Sequence, residues 1–192
     1  MLRKNERKGD TIMLDSAVTR STIDDLVNTA SGVPEGCIVE VGVWRGGTAW
    51  HLSNLAQQQG RQIFLYDTFE GIPYKSEYDY HNVGDFGDTD YEEVKKAIPY
   101  ATVVKGLFPD SAIEMPPVAF LHVDVDQYQA VLDTVRYMKP FMVSGGIIWF
   151  DDAPGPKNCV PGQVNGAHWA LEELYGKEYN LSKSGKAYVI VR

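Results

Sequence analysis

Short runs of β-branched and other apolar residues alternate along the chain with longer segments in which apolar residues recur every three or four positions. The short runs are typical of buried strands, and the longer segments are typical of helices with one apolar face. Glycine, proline and polar clusters separate the segments, as expected for turns and helix ends. The predicted strands cover residues 37–43, 62–69, 101–107, 118–124 and 146–150, and the predicted helices cover 21–27, 48–59, 91–98, 127–138 and 166–175.

Alternating strands and helices predict an α/β fold, in which a mostly parallel sheet carries helices on both faces. A Ser184-Gly185 turn separates two further short segments, 178–182 and 187–191, which predicts a closing antiparallel hairpin. Ligands bind such sheets at the carboxyl ends of the strands, near the point where the strand order reverses. Candidate functional residues should therefore directly follow the strands.

The first predicted strand runs into a glycine-rich turn, in which Glu40 and Gly42 are followed by Gly46, Gly47 and Thr48. Glycines permit a tight turn and a close approach of backbone to a ligand. A dinucleotide-binding turn would have the spacing Gly-x-Gly-x-x-Gly, whereas this turn has Glu-x-Gly-x-x-x-Gly-Gly. The acid before the first glycine suits a ligand that carries an ammonium group. The alternative is a generic strand-to-helix turn.

Asp67 directly follows the second predicted strand, with Thr68 beside it. An acid that lies roughly 20 residues or more beyond such a glycine turn is positioned to bind ribose hydroxyls. A carboxylate can accept hydrogen bonds from both hydroxyls of a diol. One acid after a strand is a weak signal, but together with the glycine turn it predicts a nucleoside pocket.

Four carboxylates follow the fourth and fifth predicted strands, at Asp124, Asp126, Asp151 and Asp152. Like charges in one cleft repel each other, so the fold needs a reason to tolerate them. A hard divalent cation, Mg²⁺ or Mn²⁺, supplies one because it prefers carboxylate oxygens. Asp124 and Asp126 share a face if the strand continues past Asp124. The alternative is four solvated acids in separate turns.

The charge balance limits the class of partner. The net charge is −8, and basic residues cluster only at the extreme N-terminus. Since an acidic protein repels phosphate backbones, we expect no nucleic-acid partner. No stretch approaches the roughly 18 apolar residues of a membrane span, so we expect no membrane partner and a cytoplasmic location.

The 192 residues are enough for one domain of ordinary size. We expect residues 21–192 to form that domain and residues 1–20 to form a tail that is partly disordered. Cys37 and Cys159 fit no ligand spacing, so two reduced structural thiols are expected.

The motifs, taken together, resemble those of the macrocin O-methyltransferase family, which modifies sugars of macrolide and related natural products. They occur in the family's order across roughly residues 36–175. The matching segments are Ile38-Val39-Glu40-Val41-Gly42-Val43-Trp44-Arg45-Gly46-Gly47, Asp67-Thr68-Phe69-Glu70-Gly71-Ile72-Pro73, Val104-Lys105-Gly106-Leu107-Phe108-Pro109-Asp110, Asp124-Val125-Asp126-Gln127-Tyr128 and Gly145-Gly146-Ile147-Ile148-Trp149-Phe150-Asp151-Asp152.

This resemblance implies a Rossmann-like class I methyltransferase fold with a seven-stranded sheet, and S-adenosylmethionine and Mg²⁺ (or Mn²⁺) as cofactors. It implies methyl transfer to a hydroxyl of a sugar, a glycosylated natural product or a glycan. It also implies roles for individual residues. Glu40, Gly42, Val43, Gly46, Gly47 and Thr48 would hold the methionine part, Asp67 and Thr68 the ribose, Gly106, Leu107 and Phe108 the adenine, and Asp124, Asp151 and Asp152 the metal.

Asp126 matches the family's proposed general base, the group that takes the proton from the acceptor hydroxyl. His122 and His168 are competing bases. We expect His122 to pack or hydrogen-bond within the strand layer, so His168, at a helix start after a flexible loop, is the better competitor. Aromatic and acidic residues interleave in the loop-rich stretch 70–90, which predicts either a loop over the active site or an acidic surface loop.

Other functions stay open at this point. A catechol-type methyltransferase would share the fold and the aspartates but would need a flat apolar gate. A non-catalytic scaffold would retain the nucleoside pocket alone. A nicotinamide-dependent oxidoreductase is disfavoured, because the glycine turn lacks the third-glycine spacing of a dinucleotide-binding turn. A homodimer is possible in this fold.

Overall fold

A computed structural model describes residues 14–154 and 165–192. The strands in the described part of the chain are β1 (Cys37–Val41), β2 (Ile63–Asp67), β3 (Thr102–Lys105), β4 (Val118–Val123), β5 (Met142–Pro154), β6 (Asn180–Leu181) and β7 (Lys186–Ile190). The α-helices are α1 (Arg20–Ser31), α2 (Gly47–Gln59), α3 (Tyr91–Ala97), α4 (Tyr128–Met138) and α5 (Gly166–Tyr175), and a 3-10 helix covers Lys139–Phe141.

All seven strands form one sheet in the order β3-β2-β1-β4-β5-β7-β6. The first five pair in parallel, and β7 runs antiparallel to both β5 and β6. The predicted α/β fold with a closing antiparallel hairpin is therefore confirmed. The strand order reverses at β1, which has β2 on one side and β4 on the other. The carboxyl ends of β1 and β4 consequently open a crevice, where this class of sheet binds ligands.

Apolar side chains on the two faces of the sheet form two separate cores. Val39 and Leu121 belong to the core that includes α4 and α5, whereas Ile38 and Phe120 belong to the core that includes α1 and α2. This division follows from the alternation of side chains along a strand. Because both faces are covered, the central strands are buried throughout, as their continuous apolar runs indicate.

Helix α1 begins earlier and ends later than the prediction for residues 21–27. Its first turn is capped by Thr19, whose side-chain oxygen accepts from the amide of Thr22. The described part of the predicted tail, residues 14–19, packs on the domain: the hydroxyls of Ser16 and Thr48 lie 3.4 Å apart. Residues 1–13 and the segment 155–164, which includes Cys159, lie outside the described residues. None of the described helices is both long and apolar enough to cross a membrane.

Candidate active site

A cavity of about 500 Å³ opens at the carboxyl ends of β1 to β5. Its wall combines the β1–α2 turn, the ends of β2, β3, β4 and β5, the segment that precedes α1, and the stretch 71–86. Among the predicted site residues, the wall includes Gly42, Val43, Gly47, Thr48, Asp67, Thr68, Gly106, Leu107, Phe108, Asp124, Asp126, Asp151 and Asp152. Residues from five strand ends thus meet in one place.

The β1–α2 turn approaches the end of β4 so closely that only glycine fits at position 42. Gly42 has a φ of +92°, and a Cβ there would lie 1.8 Å from the carbonyl oxygen of Asp124. Gly47 is similarly crowded, since a Cβ would meet the carbonyl oxygen of Asp15 at 2.4 Å. Gly46 is not part of the described cavity wall. It caps α2 in a left-handed conformation and packs toward Val94 and Ile98.

Asp67 fixes the shape of this turn. One of its carboxylate oxygens accepts from the backbone amides of Val43 and Trp44, at 2.7 and 2.8 Å, and the other accepts from the amide of Phe69 at 2.6 Å. Thr68 donates to the carbonyl of Gly71 at 2.9 Å. A carboxylate oxygen has two lone pairs, so Asp67 retains acceptor capacity toward the cavity that it lines.

Glu40 does not lie on the described cavity wall. Its side chain is fully buried, and its Oε1 lies 2.8 Å from Nδ1 of His122, the residue directly opposite on β4. Burial raises the pKa of Glu40, and His122 opposes the rise. For His122, burial alone lowers the pKa, but Asp151 and Glu40 outweigh it and raise the pKa to about 10. The contact of Glu40 with the donor therefore stays a prediction.

The end of β3 supplies an apolar side of the cavity. Phe108 packs against Tyr66 of β2 with ring centroids 4.9 Å apart, and both rings line the cavity. Val125 lines the same space from the end of β4. Flat apolar side chains of this kind form the lining expected around a heteroaromatic ring.

Asp124, Asp151 and Asp152 form a carboxylate cluster, in which one oxygen from each residue lies within 4.8 Å of the others. Burial, followed by repulsion from Asp151, raises the pKa of Asp124 well above its usual value and that of Asp152 to about 6. Burial acts in the same direction on Asp151, but His122 and Lys186 hold its pKa below the usual value. The three carboxylates thus repel each other when they are ionised. A bound cation would relieve this repulsion.

Lys186 at the start of β7 is a site residue that sequence reasoning missed. Its Nζ lies 3.0 Å from Oδ2 of Asp151 and also donates to the carbonyl of Asp151. Asp151 Oδ1, on the other side of the same carboxylate, is buried and has no hydrogen-bond partner among the described residues. One oxygen of Asp151 is therefore already paired, and the other is available to a ligand.

Asp126 lies on the cavity wall, but β4 ends at Val123, so the continuing strand that would have placed Asp124 and Asp126 on one face does not form. Asp126 instead adopts a left-handed φ of 53°. Burial and the neighbouring Asp152 raise its pKa well above the usual value. Its Oδ1 lies 3.5 Å from Nε2 of His81.

His81, rather than His168, is the histidine near Asp126. His81 lines the cavity, and its Nδ1 lies 3.6 Å from Oδ2 of Asp85. His168 is absent from the described cavity wall, because it lies in the first turn of α5, where its amide donates to the side chain of Asn165. His168 as a competing base therefore stays a prediction. The one sequence signal for His81 was its place among the aromatic and acidic residues of the stretch 70–90.

That stretch lies over the cavity and is tied to the domain by its acids. Asp79 accepts from the amide of Tyr128 at the start of α4, at 2.7 Å. Asp88 accepts from Nε1 of Trp44 at 2.8 Å and pairs with Arg45 at 2.6 Å. Of the two alternatives predicted for this stretch, the structure shows a loop that covers the site. Its residues with side chains that line the cavity are Ile72, Pro73, Tyr74, His81 and Phe86.

The fold resembles solved methyltransferase structures. It superposes on "the O-methyltransferase NovP" with a TM-score of 0.69 at 24% identity, covering 88% of this chain and 78% of that one. It superposes on "CalS11, Calicheamicin Methyltransferase" with a TM-score of 0.68 at 20% identity, covering 88% of this chain and 77% of that one. The sheet order and the crevice between β1 and β4 define a Rossmann-like class I methyltransferase fold. Within this class, the chain belongs to the macrocin-O-methyltransferase (TylF) family, whose sequence profile matches residues 18–163.

Curated relatives are sugar-modifying enzymes by name. The chain is 28% identical over 144 residues to 8-demethyl-8-(2,3-dimethoxy-alpha-L-rhamnosyl)-tetracenomycin-C 4'-O-methyltransferase of Streptomyces olivaceus, which covers 64% of this chain and 54% of the relative. It is 26% identical over 159 residues to mycinamicin III 3''-O-methyltransferase of Micromonospora griseorubida, which covers 71% of this chain and 60% of the relative. The chain thus spans little more than half the length of these relatives.

Proposed function

We propose that this protein is an S-adenosylmethionine-dependent O-methyltransferase that methylates a sugar hydroxyl of a glycosylated small molecule with the help of a divalent metal. The observation that carries the proposal is that one cavity brings together the glycine turn, Asp67 and three clustered carboxylates. The family membership and the names of the relatives support it. The net charge of −8 supports a small-molecule acceptor over a nucleic acid.

The donor would lie along the ends of β1, β2 and β3. Gly47 and Thr48 at the start of α2 line the cavity, and a negative group is favoured at the N-terminus of a helix. Asp67 would accept from a ribose hydroxyl while it continues to hold Val43 and Trp44. Tyr66 and Phe108 would enclose the adenine ring. This arrangement fixes the donor on one side of the carboxylate cluster.

Asp124, Asp151 and Asp152 fit a hard divalent cation, because they are oxygen donors within reach of a common centre and Oδ1 of Asp151 is buried without a partner. When bound, S-adenosylmethionine supplies an activated methyl group, and the metal lowers the pKa of a coordinated acceptor hydroxyl. The loop residues Tyr74, His81 and Phe86 would exclude water and hold the acceptor in line with the donor.

Asp126 is the proposed general base, and His81 orients it. Asp126→Asn is expected to lower the turnover number by about 100-fold, since positioned acid–base groups contribute at least that factor. Donor binding should persist, because Asp67 and the β1–α2 turn are unchanged in this variant. His168→Gln is the matched control and should retain near-normal turnover. If His168→Gln lost all turnover and Asp126→Asn kept normal turnover, His168 would be the general base and Asp126 would not.

Asp67→Ala is expected to weaken the binding of S-adenosylhomocysteine by about 100-fold. One ribose hydrogen bond to a charged acceptor contributes up to about 3 kcal/mol, which amounts to roughly two orders of magnitude, and the variant also loses the bonds that hold the β1–α2 turn. Isothermal titration calorimetry with the purified chain measures the loss. Glu70→Gln, which removes an exposed carboxylate paired with Lys105, is the control and should bind normally.

The activity itself is tested by incubating the protein with S-adenosylmethionine and Mg²⁺ or Mn²⁺ against a panel of glycosides and catechols. Formation of S-adenosylhomocysteine and a mass increase of one methyl group on a glycoside would support the proposal. If only catechols were methylated, the protein would be a catechol-type methyltransferase instead. Failure of the chain to bind S-adenosylhomocysteine at all would contradict it and favour a non-catalytic scaffold.

A further inference from the structure

Three buried polar atoms at the ends of neighbouring strands have no hydrogen-bond partner among the described residues: Oε2 of Glu40, Nε2 of His122 and Oδ1 of Asp151. Glu40 and His122 are fully buried, and Asp151 is 5% exposed. An unsatisfied buried polar atom costs about 1–3 kcal/mol. Two of them, Nε2 of His122 and Oδ1 of Asp151, face each other as an ion pair at 3.7 Å, which is too long for a hydrogen bond, so a group bound between them would satisfy both.

The strands place these residues on one face of the sheet. Ile38, Phe120 and Trp149 belong to the same core, and Glu40, His122 and Asp151 lie two positions further along β1, β4 and β5 respectively. Side chains two positions apart share a face. The three polar residues therefore form a second layer above the apolar one, next to the cavity.

Glu40 fixes the orientation of the imidazole. Its Oε1 lies 2.8 Å from Nδ1 of His122, so an ionised Glu40 accepts the proton of Nδ1. A neutral imidazole in this tautomer has its lone pair on Nε2, which points away from Glu40. Nε2 lies 3.7 Å from Oδ1 of Asp151, the oxygen that Lys186 leaves unpaired. A histidine that ligates a metal commonly donates its other ring N–H to a carboxylate in this way.

The distance between Nε2 of His122 and Oδ1 of Asp151 suits two ligands of one metal ion. Two atoms that bind an ion at about 2.1 Å in adjacent coordination positions lie roughly 3 to 3.5 Å apart. The observed separation of 3.7 Å needs only a small adjustment to reach that range. Glu40, His122 and Asp124 offer ligand atoms within 4.8 Å of one another, as do Asp124, Asp151 and Asp152. Asp124 belongs to both groups and connects them.

We propose that Nε2 of His122 is a nitrogen ligand of the divalent metal held by Asp124 and Asp151, and that Glu40 orients the imidazole for this purpose. The inference rests on the metal of the proposed function and adds a ligand to it. A mixed nitrogen and oxygen donor set favours Mn²⁺ over Mg²⁺, since imidazole suits transition metals better than it suits Mg²⁺. The site would therefore select Mn²⁺.

Electron spin-echo envelope modulation of the Mn²⁺-loaded protein tests the assignment directly. The wild type should show the ¹⁴N modulation of a coordinated imidazole, and protein grown with ¹⁵N-histidine should show it shifted. His122→Gln should lose the modulation, bind Mn²⁺ roughly 10- to 100-fold more weakly, and lose its preference for Mn²⁺ over Mg²⁺. S-adenosylhomocysteine binding of His122→Gln should stay near normal, which shows that the variant is folded.

Three variants serve as controls, because the chain has four histidines. His51→Gln, His81→Gln and His168→Gln should each retain the nitrogen modulation. If His122→Gln does not fold, a modulation that survives in all three controls still assigns the ligand to His122.

The remaining outcomes overturn the inference in distinguishable ways. Tight Mn²⁺ binding without nitrogen modulation would show that His122 is only a buried cation between Glu40 and Asp151, and would leave the proposed function intact. No Mn²⁺ binding by the wild type would overturn both this inference and the metal-dependent part of the proposed function.

Discussion

Asp151→Asn is expected to abolish tight divalent-metal binding and to lower methyl transfer by about 1,000-fold or more. Metal assistance contributes several kcal/mol to transition-state stabilisation, and each 1.36 kcal/mol corresponds to a factor of ten in rate. Asp151 is the least exposed member of the carboxylate cluster, and its Oδ1 is free for a ligand. Asparagine keeps the size of the side chain but removes the charge that attracts the cation.

Calorimetric titration of Mn²⁺ and steady-state kinetics with an identified acceptor measure this effect. Asp24→Asn is the control, since Asp24 forms an exposed ion pair with Arg20 on α1, and it should leave metal binding and turnover unchanged. S-adenosylhomocysteine should bind Asp151→Asn normally, because Asp67 and the β1–α2 turn are intact. Wild-type activity that persists after complete chelation of divalent metal would contradict the metal-assisted mechanism.

Gly42→Ala is expected to lower the free energy of unfolding by about 2–6 kcal/mol. The left-handed φ of Gly42 is unfavourable for alanine and costs about 1–3 kcal/mol. The new Cβ would also lie 1.8 Å from the carbonyl oxygen of Asp124, which forces the backbone of β4 to move, and overpacking of this kind costs a further 1–3 kcal/mol or more. The displaced segment carries Asp124, so metal and donor binding should both weaken.

Thermal unfolding measures the change, and a decrease of roughly 10 °C is expected for a domain of this size. Gly84→Ala is a matched control, because Gly84 has a nearly identical φ of +89° but no atom within 4 Å of the added Cβ. Gly84→Ala should lose only the stability that the left-handed φ costs an alanine, without the contribution of a steric clash. Equal losses in the two variants would show that the close approach to Asp124 is unimportant.

The local pattern of the sequence predicted most of the fold. The continuous apolar run at Val118–Val123 predicted a buried strand because a strand covered on both faces has no polar side, and β4 forms there. The glycine turn, Asp67 and the later aspartates were assigned to strand ends, and the cavity wall includes the residues Gly42, Asp67, Asp124 and Asp151. These positions could be predicted because the topology of a parallel sheet brings its carboxyl ends to one edge.

Contacts between distant segments could not be read from the sequence in the same way. Glu40 was assigned to a ligand, but the register of β1 with β4 pairs it with His122. His81 reaches Asp126 only because the stretch 70–90 lies over the cavity. Lys186 reaches Asp151 because β7 inserts beside β5 and runs antiparallel to it.

The sequence by itself thus determined the α/β class, the elements and the groups available at the strand ends, because periodicity and turn chemistry act over a few neighbouring residues. The tertiary structure alone decided which of those groups face the cavity and which neutralise each other in the interior. That choice depends on strand register, on the path of the loop over the site and on which charges are buried together. Glu40 and Asp67 show the difference: both are acids near strand ends, yet one is paired inside the sheet and the other lines the cavity.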